Sequence, residues 1–292
     1  MKVSVIIPSL NSPILDSVIE KIIQQPQYEA VGEILIVGKD DQHLLKTVDA
    51  PKVQLIETPK PVNAAKARNI GIQHAKHELL LFLDSDCLPE PTWLDEHLRL
   101  QAQGHPVVGG GVLPEGTNYW SLSYNLTLFH EFFSTNAEGE KRYLPTLNLS
   151  VQKKVIDEVG LLNEELSRGQ DIEWTTRMKE AGFMPYFAPQ AVILHQHSRL
   201  DFTAVWQDCA RSGYHMRQVR IQYPQLFKGS RLLQNRLFLL LLSPFIATAI
   251  TTGIVRKHLS VFHKSWHTIP AIYFTKIAWC WGASGIDMAV RK

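Results

Sequence analysis

The feature that most constrains the fold is an unbroken apolar run, Leu79–Leu83, which stops abruptly at Asp84-Ser85-Asp86. A short apolar run bounded by turn residues is typical of a strand buried on both faces, as in a parallel α/β sheet. Open sheets of this kind bind ligands outside the carboxyl ends of their strands. The sequence therefore predicts a binding site at this strand end.

Two interpretations of the acidic pair remain open from these residues alone. Neighbouring carboxylates repel each other unless a cation lies between them, and Mg²⁺ or Mn²⁺ prefers such oxygen ligands together with substrate phosphates. The alternative is a solvated turn in which an Asp accepts backbone hydrogen bonds. Short motifs give many false positives, so the surrounding chain has to decide between the two.

Composition narrows the class of protein. The chain has 292 residues, of which 45% are hydrophobic and 20% charged, enough for one large α/β domain or two smaller ones. A net charge of +2, with both signs mixed over most of the length, does not indicate nucleic-acid binding. Three widely spaced cysteines argue against a disulfide framework and favour a reducing compartment. The first apolar stretch is too short for a secretory signal.

Strand and helix patterns alternate through the first 200 residues. Strands are predicted at Val3–Ile7, Glu33–Val37, Val53–Glu57, Leu79–Leu83, Pro106–Gly111, Leu147–Val151 and within Phe183–Leu194. Amphipathic or helix-favouring segments separate most of them. This alternation implies βαβ units, so the expected fold is α/β, with a mostly parallel sheet flanked by helices.

Two further polar sites have a structural and a functional interpretation. Asp171 lies near the start of a predicted helix, where a carboxylate is a common cap. His195 and His197 follow a predicted strand and point to opposite faces if that strand continues, so at most one is expected to meet a metal. A histidine in such a place is more often simply hydrogen-bonded.

Together these segments resemble a family 2 glycosyltransferase of the Rossmann-like GT-A fold. The resemblance covers about residues 2–199 and rests on VSVIIPSLN, EILIV with a polar turn, AAKARNIG, LLFLDSDCLPEPTWL, GQDIEW and HQH, in that order. It implies an inverting enzyme that moves a sugar from a nucleotide-sugar donor to a hydroxyl acceptor.

The resemblance also implies roles for the polar residues. The tripeptide matches the family's DXD motif, so Asp86 would bind Mn²⁺ or Mg²⁺ through the donor diphosphate, and Asp84 would lie near the ribose or the metal. Asp171 matches the general base. One of His195 and His197 matches a metal ligand, and His195 is favoured.

Further site residues follow from the same resemblance. The implied donor-binding residues are Pro8, Ser9, Asn11, Asp40, Asp41, Lys66, Arg68, Asp84, Ser85 and Asp86. Those expected on the acceptor side are Asn148, Gln170 and Trp174.

The chain departs from the family pattern in three ways. Gly38 and Lys39 stand where an Asp usually follows the second strand, and Gln170 replaces the first acid of the ED motif. No QxxRW motif follows, so we expect non-processive transfer, with a role in polysaccharide or cell-envelope glycan biosynthesis.

The first two departures favour an alternative, a non-catalytic GT-A-like protein that binds nucleotide sugars. A nucleotidyltransferase is a further alternative, but it would need a glycine-rich phosphate-binding loop after the first strand, and this sequence has none there.

The last hundred residues differ in character. We expect a catalytic domain over 1–200, a helical basic connector over 201–235 and membrane-associated helices over 236–292. Leu237–Val255 has no charged residue and, as one helix, would reach about 28 Å, close to the thickness of a bilayer. A buried core helix is the alternative, and a membrane-spanning and an interfacial arrangement both stay open. We expect the cytoplasmic face of the membrane, with a lipid-linked or glycan acceptor.

Overall fold

The computed structural model describes residues 1–47, 50–224 and 235–285, which form two compact units. The first, here called the sheet unit, consists of residues 1–113 and 132–195. The second, the helical unit, consists of residues 114–131 and 196–292. The three-part division suggested by the sequence stays a prediction, and its connector falls partly on residues outside those described.

Nine strands of the described residues form one sheet. They are β1 (Val3–Leu10), β2 (Val31–Lys39), β3 (Val53–Glu57), β4 (Leu79–Leu83), β5 (Cys87–Pro89), β6 (Val107–Val112), β7 (Gly139–Glu140), β8 (Asn148–Gln152) and β9 (Tyr186–His195). The sheet unit's helices are α1 (Leu15–Ile23), α2 (Ala64–His74), α3 (Trp93–Ala102), α5 (Lys153–Val159) and α6 (Gln170–Glu180). The helical unit holds α4 (Tyr119–Phe129), α7 (Phe202–Gln222), α8 (Arg236–Leu241), α9 (Ser243–Lys257), α10 (Leu259–Ser265) and α11 (Ile269–Ser284).

The sheet is mixed, so the expectation of a mostly parallel sheet is wrong. Its order is β3-β2-β1-β4-β8-β6-β9-β5, with β7 added to β9. The first four strands are parallel neighbours, as the βαβ pattern predicts. Beyond β4, strand β8 runs antiparallel to both β4 and β6, and β5 and β7 run antiparallel to β9. The parallel part brings the carboxyl ends of β1, β2 and β4 to one edge.

Strand β4 lies at the centre of the core, and none of its five residues is exposed. Helix α6 packs near it, and Trp174 meets Phe82 edge to face, with ring centroids 5.6 Å apart. Burial on both faces explains why β4 is an unbroken apolar run. Because β4 is packed on both faces, the Asp84-Ser85-Asp86 turn that follows its last residue is held in a defined position.

The apolar stretch Leu237–Val255 is not one helix. It divides at Leu242 into α8 and α9, because Pro244 has no backbone N–H to continue the first helix but is well suited to the first turn of the second. Helix α9 has 15 residues, about 22 Å. Among the described residues, no helix has both the length and the apolar character needed to cross a bilayer.

Candidate active site

A cleft opens at the carboxyl ends of β1, β2 and β4. Backbone and side chains from these ends form most of its lining, and the start of α2 supplies the rest: Pro8, Ser9, Leu10, Gly38, Lys39, Val62, Ala64, Ala67, Asp84, Ser85 and Asp86. The hydroxyl of Ser12 donates to the backbone oxygen of Ser85 over 2.8 Å and so fixes the acidic turn to the loop after β1. The acidic tripeptide thus lies where the sequence predicts a ligand site.

Gly38 allows β1 and β2 to meet closely at the cleft. Its φ is +145°, and a Cβ at this position would lie 1.9 Å from the backbone oxygen of Ser9. An aspartate at this place would therefore clash with β1. Lys39 follows and pairs with Asp41, with Nζ and Oδ1 2.6 Å apart. The departure from the family pattern at the end of β2 is therefore compatible with the close packing of β1 and β2, and it leaves a glycine and a cation beside the cleft.

Asp86 and His195 meet at the same end of the sheet, with Oδ2 and Nε2 3.4 Å apart. Their meeting follows from strand register, because Cys87, the residue after Asp86, pairs with His195 across the antiparallel β5–β9 ladder. One ligand atom from each of Asp86, Cys87 and His195 lies within 4.8 Å of the other two. The strand end and the acidic turn therefore present a potential metal-binding group.

The chemistry of this group favours oxygen and nitrogen ligation. Burial, together with the nearby carboxylates of Asp86 and Asp84, raises the pKa of the Cys87 thiol well above its usual value. A thiol held protonated is a poor ligand, since metals bind the thiolate. The carboxylate of Asp86 and the imidazole of His195 remain, and this donor set fits Mn²⁺.

Arg68 pairs with Asp84 and is itself buried. Its Nη2 donates to Asp84 Oδ1, and the residue is only 2% exposed. The sequence suggests direct donor binding by Arg68. Burial and this pairing place the guanidinium against the carboxylate of Asp84, and direct donor binding by Arg68 stays a prediction.

Asp171 lies at the start of α6, after Gly169, whose φ is +79°. Its Oδ1 accepts a hydrogen bond from the backbone N–H of Ile172 over 2.9 Å. Burial raises the pKa of Asp171, whereas the Ile172 hydrogen bond and the charge of Arg68 lower it and the charge of Asp84 raises it. Asp171 is therefore within electrostatic reach of Arg68 and Asp84.

Several predicted donor-binding residues have structural partners. Asn11 adopts a φ of +50° and its backbone N–H donates to the Lys39 oxygen. Both oxygens of Asp40 accept backbone N–H groups, from Leu44 and Leu45, over 2.9 Å. These two hydrogen bonds stabilise the loop that follows β2. Lys66, half exposed, lies 3.6 Å from a carboxylate oxygen of Glu164.

Two of the three predicted acceptor-side residues belong to the core, so that assignment is corrected. Asn148 is 1% exposed, and its side-chain oxygen accepts from Trp93 Nε1 (2.8 Å) and faces His97 Nε2 (2.9 Å). Trp174 is fully buried, and its indole N–H donates to the Gly160 oxygen. Their positions on β8 and α6 turn both side chains inward. Gln170, beside Asp171, is half-buried.

His197 is placed in the helical unit, two residues beyond the end of β9. Its Nδ1 accepts from the backbone N–H of Arg199 over 2.9 Å, and its ring packs against Tyr124. Of the two histidines, His195 is the one that lies beside Asp86.

Sequence reasoning missed Ser12 and Cys87. The serine follows β1 in the turn, but its bond to Ser85 spans 73 residues of chain and leaves no local pattern. Cys87 lies in a three-residue strand, too short for a periodic signal. The sequence signal for Cys87 was its position next to the acidic tripeptide.

Comparison with known proteins identifies the family. The family described as Glycosyltransferase like family 2 matches residues 1–215. Glycosyltransferase AglE of Haloferax volcanii is 26% identical over 201 residues, which cover 66% of each chain. The pre-mycofactocin glycosyltransferase of Mycobacterium tuberculosis is 27% identical over 157 residues, 50% of this chain and 32% of that protein. The matched segment thus spans less than two thirds of these relatives.

Solved structures agree with this fold. The mannosyltransferase PcManGT from Pyrobaculum calidifontis, in complex with GDP-Man and Mn²⁺, has a TM-score of 0.59 and 16% identity, covering 94% of this chain and 85% of that one. GalNAc-T7 with UDP, GalNAc and Mn²⁺ has a TM-score of 0.54 and 15% identity, covering 67% and 43%. Both share the mixed α/β sheet with flanking helices of the GT-A fold.

Proposed function

We propose that this chain, which belongs to the glycosyltransferase family 2-like proteins, transfers a sugar from a nucleotide-sugar donor to an acceptor hydroxyl, with inversion at the anomeric carbon. The observation that carries this proposal is the pairing of Asp86 with His195, 3.4 Å apart, at the cleft formed by the ends of β1, β2 and β4. Asp171, close enough for Arg68 and Asp84 to influence its pKa, supplies a separate carboxylate.

Asp86 and His195 would hold Mn²⁺ or Mg²⁺, with Asp84 fixed beside them by Arg68. A divalent cation bound there supplies positive charge that stabilises the departing nucleoside diphosphate. The donor set of one carboxylate and one imidazole favours Mn²⁺ over Mg²⁺, which prefers oxygen ligands alone.

Asp171 would act as the general base. An acceptor hydroxyl is a poor nucleophile at neutral pH, and a carboxylate that takes its proton during attack lowers the barrier. Burial raises the pKa of Asp171, which strengthens it as a base, while the Ile172 hydrogen bond and the charge of Arg68 oppose that rise. A single displacement inverts the anomeric carbon and needs no carboxylate nucleophile, unlike the double displacement of retaining glycosidases.

The acceptor we propose is a lipid-linked or cell-envelope glycan at the cytoplasmic face of the membrane. Transfer would be non-processive, because no QxxRW motif follows the catalytic segment. Structural neighbours bind GDP-Man in one case and UDP with GalNAc in the other, so both kinds of donor belong in a test.

Thermal unfolding with UDP-, GDP- and dTDP-sugars, with and without Mn²⁺, tests donor and metal binding. A donor at 100 times its Kd should add about 2.7 kcal/mol of stability, and so raise Tm by several degrees. Asp86→Asn should remove the Mn²⁺-dependent part of the rise. The matched control Asp157→Asn, on the exposed side of α5, should keep it.

Failure of every donor to raise Tm in Mn²⁺ contradicts the proposal. Donor binding without release of nucleoside diphosphate, across a panel of glycan and lipid-linked acceptors, supports the non-catalytic alternative instead.

A further inference from the structure

Charge is distributed very unevenly along this chain. Residues 209–286 contain ten Lys and Arg and no Asp or Glu, whereas the remaining residues contain 20 Lys and Arg and all 28 Asp and Glu. The near-neutral net charge of +2 is therefore the sum of a basic segment and an acidic remainder. Most of the basic segment forms α7–α11 of the helical unit.

The same helices expose large apolar side chains. Leu237, Leu241, Phe245, Leu259 and Trp266 are each 62–73% exposed. In the part of the chain that the structure describes, Met1 is the one other large apolar residue above 60%. Single exposed apolar residues are normal, but five such residues within 30 residues of chain are a candidate interaction surface.

Each helix has a buried side and an exposed side. Leu239, Ala247, Ile254 and Phe262 face inward and are at most 4% exposed. On the other side, Leu237 and Leu241 lie one turn apart on α8, Phe245 lies on α9, and Leu259 and Trp266 lie two turns apart along α10 and the turn after it. Exposed basic residues accompany them: Arg256, Lys257 and Lys264.

We infer that this outer surface of α8–α10, made of the five apolar residues with Arg256, Lys257 and Lys264, binds the surface of a bilayer that contains anionic lipid. Leu, Phe and Trp with Lys and Arg are the combination found in helices that lie in the membrane interface. The apolar groups enter the boundary between headgroups and acyl chains, and the cations contact lipid phosphates. This deepens the proposed membrane location, and it can fail while the transferase proposal stands.

A lipid surface fits better than a second copy of this chain. Two copies meeting through this surface would bring Arg256, Lys257 and Lys264 against the same cations, and no carboxylate lies within residues 209–286 to pair with them. Like charges placed together destabilise an interface. Anionic headgroups supply the negative charge that the helices lack.

Sedimentation of the full chain with vesicles tests the inference. We expect binding to phosphatidylcholine vesicles that contain about 30% phosphatidylglycerol, little binding to phosphatidylcholine alone, and weakening at 0.5 M NaCl because salt screens the attraction. Arg256→Gln/Lys257→Gln/Lys264→Gln should weaken binding on the order of 100-fold. Leu241→Ser/Phe245→Ser/Trp266→Ser should weaken it at least about tenfold.

A matched control separates this surface from net charge. Lys21→Gln/Lys60→Gln/Lys154→Gln removes the same charge from exposed positions of the sheet unit and should bind vesicles like the wild type. Equal loss of binding in this control and in Arg256→Gln/Lys257→Gln/Lys264→Gln, or no binding of the wild type at low salt, overturns the inference. So does a dimer in light scattering that the apolar variant converts to monomer. Donor binding without vesicles shows whether the transferase proposal survives.

Discussion

Arg68 is a buried cation among carboxylates. Nη2 donates to Asp84, while Nε and Nη1 are buried with no hydrogen-bond partner among the described residues. Burial of a guanidinium is unfavourable unless nearby negative charge compensates. The Asp84 carboxylate pairs with Arg68, and the charge of Arg68 lowers the pKa of Asp171, so Arg68 exerts electrostatic control over that one carboxyl.

Replacement of Arg68 tests this control. Since Arg68 lowers the pKa of Asp171, Arg68→Met should raise that pKa, and the acid limb of the kcat/KM profile should move to higher pH. Activity lost at pH 6 should then return in part as pH rises. Arg68→Lys keeps the charge and should shift the limb less. An unchanged acid limb in Arg68→Met would exclude this role.

The sequence predicted the place of a site residue only where this did not depend on the direction in which its side chain points. Asp84 and Asp86 follow a strand that ends at a defined edge, so their location was evident. Asn148 and Trp174 have suitable side chains, but whether these face the cleft or the core depends on strand register and helix rotation. Those are set by partners far along the chain, such as Trp93 and Phe82.

At the scale of elements, a buried polar network joins α3 to β8. His97 of α3 lies between Ser150 Oγ (3.0 Å from Nδ1) and Asn148 Oδ1 (2.9 Å from Nε2). Gln101, one turn later, donates to Ser150 Oγ over 2.9 Å. Burial lowers the pKa of His97 to about 4, although the Asn148 bond opposes the shift. The imidazole is therefore neutral in the folded protein at neutral pH.

This network should make stability depend on pH. The folded pKa of His97 is below its usual value of about 6.5, so the unfolded chain binds a proton first as pH falls. Stability is fully present above pH 6.5 and declines toward pH 4, by up to about 3 kcal/mol. Urea unfolding at pH 7.5, 6 and 5 should show a flatter dependence for His97→Gln than for the wild type.

The matched substitution His74→Gln, at an exposed position of α2, controls for loss of an imidazole. If the pH dependence of His97→Gln equals that of the wild type, the histidine does not titrate as its burial requires.

Strong local patterns predicted most elements of the sheet unit, and weak ones were missed. β3 and β4 have the predicted bounds. β5 and β7 have three and two residues, which is too few for a periodic signal in the sequence. Both strands form by antiparallel pairing with β9. The division of α8 from α9 did have a local cause, Pro244, which outweighs a continuous apolar run.

At the scale of the whole molecule, two kinds of surface separate onto two units. The sheet unit contains the cleft lined by Asp84 and Asp86, with His195 beside Asp86, and the helical unit contains the basic and apolar surface of α8–α10. The family match to residues 1–215 covers the whole sheet unit. Transfer chemistry and membrane binding should therefore be separable by substitution.

The most direct measurement is the kinetics of Asp171→Asn beside Asp157→Asn, with a donor that raises Tm. Asparagine keeps the oxygen that accepts from Ile172 but cannot take a proton. We expect the transfer rate to fall roughly 10²–10⁴-fold while donor affinity is kept, and Asp157→Asn to match the wild type. A transfer rate that survives Asp171→Asn unchanged would contradict the proposed active site.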